Sequence, residues 1–421
     1  MVFAKIRINV GTANSAITNV LLFCGILRSR NHTRSTVSSI SRGLILAVAC
    51  SLSLIYRCTN YKFTINGGSI TLSNLSIFQI VDYSQYVLRT LGAITVMSIV
   101  WRKSVILSTL QRENRALVKA LTHRRSTSNT GALVFLTFIL FNVILIGTRA
   151  CQLLTTDMTK LKWDESTNIP WLKVTYLQDQ MFTTFVSYPV ESLRLLSLGF
   201  VVNIVAEFGH GPASTCLRVL EESATLRDLA GNLPEAWAAR ETSLGIAEKL
   251  RSHLTVVLTM AMMFDMLCLN AGLCNFLQPK NGTFTVIRSL LAVWMYVVEI
   301  LVTVRAVMRL NHIDASTLRK VQQLQSSLEQ ELQLLENGKK DPFFNHRALW
   351  GRQLQTLRSR LSKFSSACFR ERNLALPLHG FGVITYGTVL SIIGLLSTFL
   401  IFLMDQRNLS GPTVAYNATN Y

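Results

Sequence analysis

Seven stretches of the chain are apolar over most of their length, at approximately 43–57, 75–100, 131–153, 181–206, 253–277, 284–308 and 380–404. A helix needs about 20 apolar residues to cross the hydrocarbon of a bilayer, so each run is a candidate membrane-spanning helix. The third and the last are the clearest, and the last carries no charge from Gly387 to Met404. The first is short, and the second opens on polar residues. A shorter run, Ala16 to Leu27, follows Lys5 and Arg7 as the core of a signal peptide would. Thr18 and Asn19 interrupt it, and Arg28 and Arg30 follow without a small-residue cleavage site. It therefore reads as a cytoplasmic or interfacial lead-in helix retained in the chain.

The segments between the runs have patterns of their own. Residues 207–251 mix acids and bases and read as helical turns broken by Gly231 and Pro234. Leu318, Val321, Leu324, Leu328, Leu332 and Leu335 recur at spacings of three and four, which places them on one face of an amphipathic helix over 315–336. Gly338, Asp341 and Pro342 end it. A second stripe follows at Leu354, Leu357, Leu361 and Phe364, with Arg352, Arg358, Arg360 and Lys363 around it. The stripes have several possible partners: each other, the inner ends of the spans, or a neighbouring subunit. The alternative is a pair of basic helices lying on an anionic inner leaflet.

Charge orients this pattern. The chain has 421 residues, is 49% hydrophobic and only 15% charged, and carries a net charge of +19. Such a charge invites a nucleic-acid partner, but the basic residues cluster in the loops between apolar runs, which argues against one. With the N-terminus inside, 31 of the 42 Lys and Arg residues fall in inner segments and 7 in outer ones, the bias expected of a membrane protein. The glycosylation sequons agree. Asn74, Asn281, Asn408 and Asn417 fall outside, and only Asn31 falls inside. The expectation is an all-α membrane protein of the plasma membrane with seven transmembrane helices, a cytoplasmic N-terminus and an extracellular C-terminus. Its parts are a cytoplasmic N-terminal segment (1–42), a six-helix bundle (43–308) with an inner loop (207–251), a cytoplasmic helical region (309–379), the last span (380–406) and an outer tail (407–421). A G-protein-coupled receptor has seven spans in the opposite orientation. The acidic-Arg-aromatic triplet after the third span and the NPxxY of the seventh are absent.

Eight ionisable residues lie within the spans: Asp82, Arg89, Arg149, Glu191, Arg194, Asp265, Arg288 and Glu299. Each costs about 2.5–3.5 kcal/mol at a bilayer centre, so they are expected to pair or to face a watery cavity. Glu191 and Arg194, three apart on one helix, are placed to pair locally. Polar and aromatic residues gather in the outer halves of the spans: Asp82, Gln85 and Tyr86, then Arg149, Tyr188 and Glu191, then Asp265, Asn270, Arg288 and Trp294. Carboxylates and amides take hydroxyl hydrogen bonds, and aromatic rings give flat apolar faces, which suits an outward-facing ligand pocket. Structural ion pairs and interfacial aromatics are the competing account.

No catalytic signature is present: no HExxH, GxSxG, Walker loop or GxGxxG. The seven histidines have no metal-ligand spacing, and the eight cysteines form no CxxC. Cys58, Cys151 and Cys274 fall near one side of the membrane, either to pair or, like the others, to fill gaps between helices. No enzyme, cofactor or metal is expected. A transporter would use intramembrane charges, but no internal repeat is visible.

The residue order of the last span adds a resemblance. Gly380-Phe381, then Leu390-Ser391-Ile392-Ile393-Gly394, then Thr398-Phe399-Leu400-Ile401-Phe402-Leu403-Met404 resembles the end of the insect gustatory receptor family. That family closes on Thr-Tyr, five apolar residues and Gln-Phe. Here the register starting at Thr398 puts Phe399 for Tyr, Asp405 for Gln and Gln406 for Phe. Leu22-Phe23-Cys24-Gly25 is similar to an apolar-Gly motif near the family's N-terminus. The related insect odorant receptors share the topology. The resemblance implies a ligand-gated, non-selective cation channel of four subunits, alike or mixed, opened by a small tastant. It implies a pore lined by the last span, with Thr398, Phe399, Phe402, Asp405 and Gln406 as its residues, and inner helices that hold the tetramer together. A ring of four Asp405 carboxylates would favour cations, leaving the hydrophobic seal to Phe402 or Phe399. A metabotropic receptor or a transporter working within one subunit is the rival class.

Overall fold

The computed structural model describes residues 10–27, 33–66, 77–121, 130–155, 182–223, 225–277, 283–337, 344–369, 374–380 and 382–409. Ten helices and one short hairpin appear among them: α1 (Val10–Phe23), α2 (Thr33–Asn66), α3 (Ile77–Leu121), α4 (Thr130–Thr155), α5 (Tyr188–His210), α6 (Pro212–Glu222), α7 (Leu226–Leu277), α8 (Thr283–Asn337), α9 (Phe344–Phe369), β1 (Pro377–Leu378), β2 (Gly382–Val383) and α10 (Tyr386–Leu409). A π-helical turn, Thr183–Ser187, leads into α5. Five of the helices contain apolar stretches long enough to cross a membrane, and Ala13–Phe23, Ile40–Tyr56 and Tyr386–Phe402 are shorter apolar stretches.

The centre of the bundle is α5. Its residues are buried on nearly every side, from Val190 to Gly209, as expected of a helix with no polar face. Around it pack α3, α4 and α8. The lead-in helix α1 does not lie free at a surface: Ala13, Ile17 and Leu21 are buried, and the helix packs on α4 and α5. Asn14 donates to the Glu207 carboxylate at 3.4 Å, as does Asn203 at 3.1 Å.

Two helices are much longer than a bilayer requires. α7 has 52 residues and α8 has 55, about 80 Å each at 1.5 Å per residue, against a hydrocarbon core of about 30 Å. The stripe expected as a separate amphipathic helix at 315–336 is thus the continuation of the sixth apolar run. The break expected at Gly231 and Pro234 is likewise absent, because α7 passes through both. A proline inside a helix costs about 3 kcal/mol. Here burial of Leu229, Leu233, Ala236 and Ala239 on the same stretch offsets it. The chain turns earlier, around Ser223. Thr225 and Asp228 then cap α7 reciprocally: the Asp228 carboxylate accepts from the Thr225 amide at 3.0 Å, and the Thr225 hydroxyl accepts from the Asp228 amide at 3.1 Å.

Beyond the bundle these long helices build a second apolar core. Val321, Leu324 and Leu328 of α8 meet Leu354, Leu357, Leu361 and Phe364 of α9, together with Val219 and Leu220 of α6 and Leu229 and Leu233 of α7. Of the partners considered for the two stripes, within this chain they meet each other, together with α6 and α7. The rings of Trp237 and Phe364 lie 5.3 Å apart. A buried ion pair, Arg240 to Asp314 at 2.7 Å, ties α7 to α8. Cys368 is buried beside it, and desolvation pushes its thiol up while the Arg240 guanidinium pulls it back.

Leu361→Ala should destabilise this second core by about 2–5 kcal/mol, read as a lower thermal unfolding midpoint of the detergent-solubilised protein. Since the thiolate is the reactive form, Cys368 should resist maleimide in the native protein and label fully after denaturation. Mass spectrometry of the tryptic peptides distinguishes the two.

Candidate functional site

Within the bundle three of the eight charges, Arg194, Asp265 and Glu299, pair across helices. Arg194, on the buried face of α5, reaches Asp265 of α7 at 2.6 Å through its Nη2. The same nitrogen donates to Oε2 of Glu299 on α8. All three side chains are almost wholly buried. The guanidinium also lies over the ring of Tyr296, 4.9 Å from its centroid, and Arg89 of α3 lies 5.6 Å from the same ring. Gly92 makes the close approach of α3 possible, since a Cβ there would stand 3.1 Å from the Arg194 Nη1 and from Phe264.

This geometry is an electrostatic joint between four helices. One guanidinium offers its donors to two carboxylates, the arrangement that makes a buried charge tolerable. Glu191, Cys268 and Asn270 are buried in the same spans. Of the pocket residues expected from sequence, Asp265 stands in the joint, Glu191 is buried one turn before Arg194 on α5, and Asn270 is buried farther along α7. Tyr188 is half-buried against the main core. Trp294 does not join them: it is 54% exposed on the outside of the bundle, because α8 turns its buried face through Met295, Tyr296 and Glu299. Asp82, Gln85, Tyr86, Arg149 and Arg288 sit on helices, but their side chains lie outside the described residues. Arg89, Arg194 and Glu299 were visible in the sequence as costly charges, although not as pocket residues. Tyr296 was missed. Its only signal was its position three residues before Glu299, on the same helical face.

The last span begins later than its apolar run. Pro377–Leu378 and Gly382–Val383 pair as the hairpin, with Gly380 and Gly382 at φ +82° and +65°, and the helix starts at Tyr386. Val389, Ile392 and Leu396 pack against the core. Leu390, Leu395 and Ile401 are more than two-thirds exposed. Thr398 and Asp405 are exposed on the side turned from the bundle, and Phe402 is partly so. Phe399 is half-buried, its ring 6.4 Å from that of Phe402. Gln406 and Asn408 lie in the last turns, their side chains outside the described residues, and Asn74, Asn281 and Asn417 lie outside them altogether. The same is true of the Cys58 and Cys274 side chains, while Cys50, Cys216 and Cys268 are buried gap-fillers.

A third feature sits at the far end of the second core. A cavity of about 430 Å³ opens between the start of α7 and α9, with Leu226, Leu349 and Trp350 among its apolar walls and Arg227, Arg352 and Arg360 around it. Arg227 lies 5.0 Å from the centroid of the Trp350 ring.

Together these features define a multi-pass helical membrane protein with a buried polar joint and a last span packed on the bundle along one narrow face. No protein-family model matches the chain, and no curated protein matches it in sequence. Solved structures do match it in fold. The structure of the insect olfactory receptor OR5 from Machilis hrabei in complex with eugenol superposes over 94% of this chain and 98% of that one, with a TM-score of 0.59 at 13% identity. The structure of the same receptor described without eugenol covers the same shares, with a TM-score of 0.48 at 11% identity.

Arg194→Met leaves two carboxylates buried without their counter-charge and should lower stability by about 3–5 kcal/mol. Adding Asp265→Leu and Glu299→Met to it should recover most of the loss. Thermal unfolding followed by size-exclusion fluorescence reads both changes.

Proposed function

We propose that this protein is a chemosensory receptor of the insect type, a ligand-gated and non-selective cation channel of the plasma membrane. The observation that carries the proposal is the shared fold with an insect olfactory receptor over 94% of the chain. It is joined to a last span whose residue order resembles that of the gustatory receptors. The gustatory reading rests on that residue order, and an odorant-receptor-type channel fits the shared fold equally well.

In this reading seven spans start from a cytoplasmic N-terminus, adding α2 and α10 to the five long helices. The tail carrying Asn417 is extracellular, and Asn74, Asn281 and Asn408 are open to glycosylation. A small molecule binds on the outer side of the Arg194 joint, among Asp82, Gln85, Tyr86, Arg149, Tyr188, Glu191, Asp265, Asn270 and Arg288. Four copies, alike or mixed, assemble around α10. The exposed apolar flanks of α10 favour this, because a span so little covered by its own chain is left to lipid or to a second copy. The basic, Trp-lined cavity at the end of the second core offers a further contact for a neighbouring subunit. Asp405, on the open side of α10, forms a ring of carboxylates at the outer mouth, with Thr398 deeper in the pore.

Calcium imaging of cells expressing the protein, over a panel of sugars, bitter compounds and odorants, tests the proposal. A ligand-evoked cation current is expected. A protein that reaches the surface as a tetramer yet gives no current to any of the panel argues against the channel. A clean monomer in mild detergent argues for a receptor or transporter acting within one subunit. Tags on each terminus, stained without permeabilisation, should show the C-terminal one alone. In a conducting channel Asp405→Asn should lower the preference for cations over anions, read as a shift of reversal potential in a salt gradient.

A further inference from the structure

Residues 374–380 and 382–385, before the last span, are packed and hydrogen-bonded. Leu374, Leu376 and Leu378 alternate along this segment and are all buried in the main core, as is Ile384. Pro377 pairs with Val383 and Leu378 with Gly382, and the two left-handed glycines close the turn between the strands. Three side chains then hold its backbone from outside. Arg251 of α7 donates to the Ala375 carbonyl at 3.1 Å. The Thr259 hydroxyl, two turns along α7, accepts from the His379 amide at 3.0 Å. Asn311 of α8 donates to the Ile384 carbonyl at 3.0 Å. Immediately after this last bond the helix is capped: Thr385 and Thr388 exchange amide-to-hydroxyl bonds at 3.3 and 3.2 Å. No free residue lies between the clamp and the first turn of α10.

α7 and α8 are also the helices that carry Asp265 and Glu299, the two carboxylates on Arg194. Thr259 lies about 9 Å along α7 from Asp265, and Asn311 about 18 Å along α8 from Glu299, at 1.5 Å per residue. Both segments are continuous helix. A shift of α7 against α8 at the buried joint therefore reaches the two sides of the hairpin as opposed displacements. Capping leaves α10 no slack with which to absorb them.

We propose that Arg251, Thr259 and Asn311 are positioning residues for gating: they clamp the 374–385 hairpin to α7 and α8, and so couple rearrangement around Arg194 to the angle of α10. This coupling rests on the reading of α10 as the pore helix. The clamp itself does not, and the two are tested separately.

Thr259→Val removes the acceptor at constant shape, Thr259→Ser keeps it, and Asn311→Leu removes the donor. In the purified full-length chain, amide hydrogen exchange of peptides covering 374–389 should accelerate about tenfold in Thr259→Val and Asn311→Leu, the scale of one hydrogen bond. Thr259→Ser should match wild type, and peptides from α5 and α9 should be unaffected. Unchanged exchange, or acceleration spread evenly over the protein, would overturn the clamp. In cells, the same two variants should move the half-maximal concentration of whichever panel compound activates wild type by about tenfold, at unchanged surface level and tetramer content, and Thr259→Ser should not. Faster exchange without that shift overturns the gating role and leaves a structural strap. A wild type without any current refutes the channel reading, and the gating role with it, while exchange still decides the clamp.

Discussion

The structure depends on one guanidinium. Arg194 stands on the most buried helix of the bundle and binds Asp265 and Glu299 on the two longest helices. A lone charge in that position would be among the costliest groups in the chain, and so would either carboxylate without it. The three are mutually required, so the joint fixes the rotation and height of α7 and α8 against α5. Apolar packing in the same core, through Leu195, Leu258, Met262 and Val302, tolerates small slips that one guanidinium nitrogen shared by two carboxylates does not. Replacing all three by apolar residues would preserve burial but lose this register. That is the sense in which a buried ion pair specifies a structure rather than merely adding to its stability.

The consequence lies far from the joint. Because α7 and α8 run on without a break, their orientation in the bundle also sets the second core, where Arg240 and Asp314 repeat the same device between the same two helices. The two ion pairs bracket the hairpin contacts at Arg251, Thr259 and Asn311. Between them α7 and α8 carry three attachments: the central helix, the second core, and the base of the last span. Among the described residues α10 is attached at that base and along the thin line of Val389, Ile392 and Leu396. It is the part of the bundle with the fewest reasons to keep one angle.

The apolar periodicities were the most legible part of the sequence. Leu354, Leu357, Leu361 and Phe364 are all buried in the structure, as are Val321, Leu324 and Leu328, because spacing of three and four leaves a helix only one way to hide them. Boundaries read less well. The sixth run reads as ending at 308, with a separate helix over 315–336, but Asp314 between them is buried against Arg240, 74 residues earlier in the chain, and the helix continues. Gly231 and Pro234 carry unfavourable local propensity, which burial of the neighbouring leucines overrides. The site was legible as a problem and not as a solution. The sequence shows eight charges that need partners, but which helix supplies each partner is a matter of rotation and crossing, and one-dimensional spacing carries neither. It points Arg194 toward Glu191, one turn away; in the structure its carboxylate contacts are on α7 and α8. Tyr296 and Trp294, two residues apart on one helix, look equivalent in sequence. They point to opposite sides of α8, one into the joint and one out of the bundle.

The hairpin before α10 shows why the last apolar run could not be read as a single helix. Gly380 and Gly382 adopt a backbone that other residues avoid, and the alternation of Leu374, Leu376 and Leu378 has the period of a strand. Among the described residues the hairpin is held by hydrogen bonds from α7 and α8. Under the proposed coupling, a displacement of these helices reaches α10 through those bonds. A helix that is weakly packed along its length and firmly held at one end is suited to tilting about that end, with its far turns, around Ile401 and Asp405, travelling farthest.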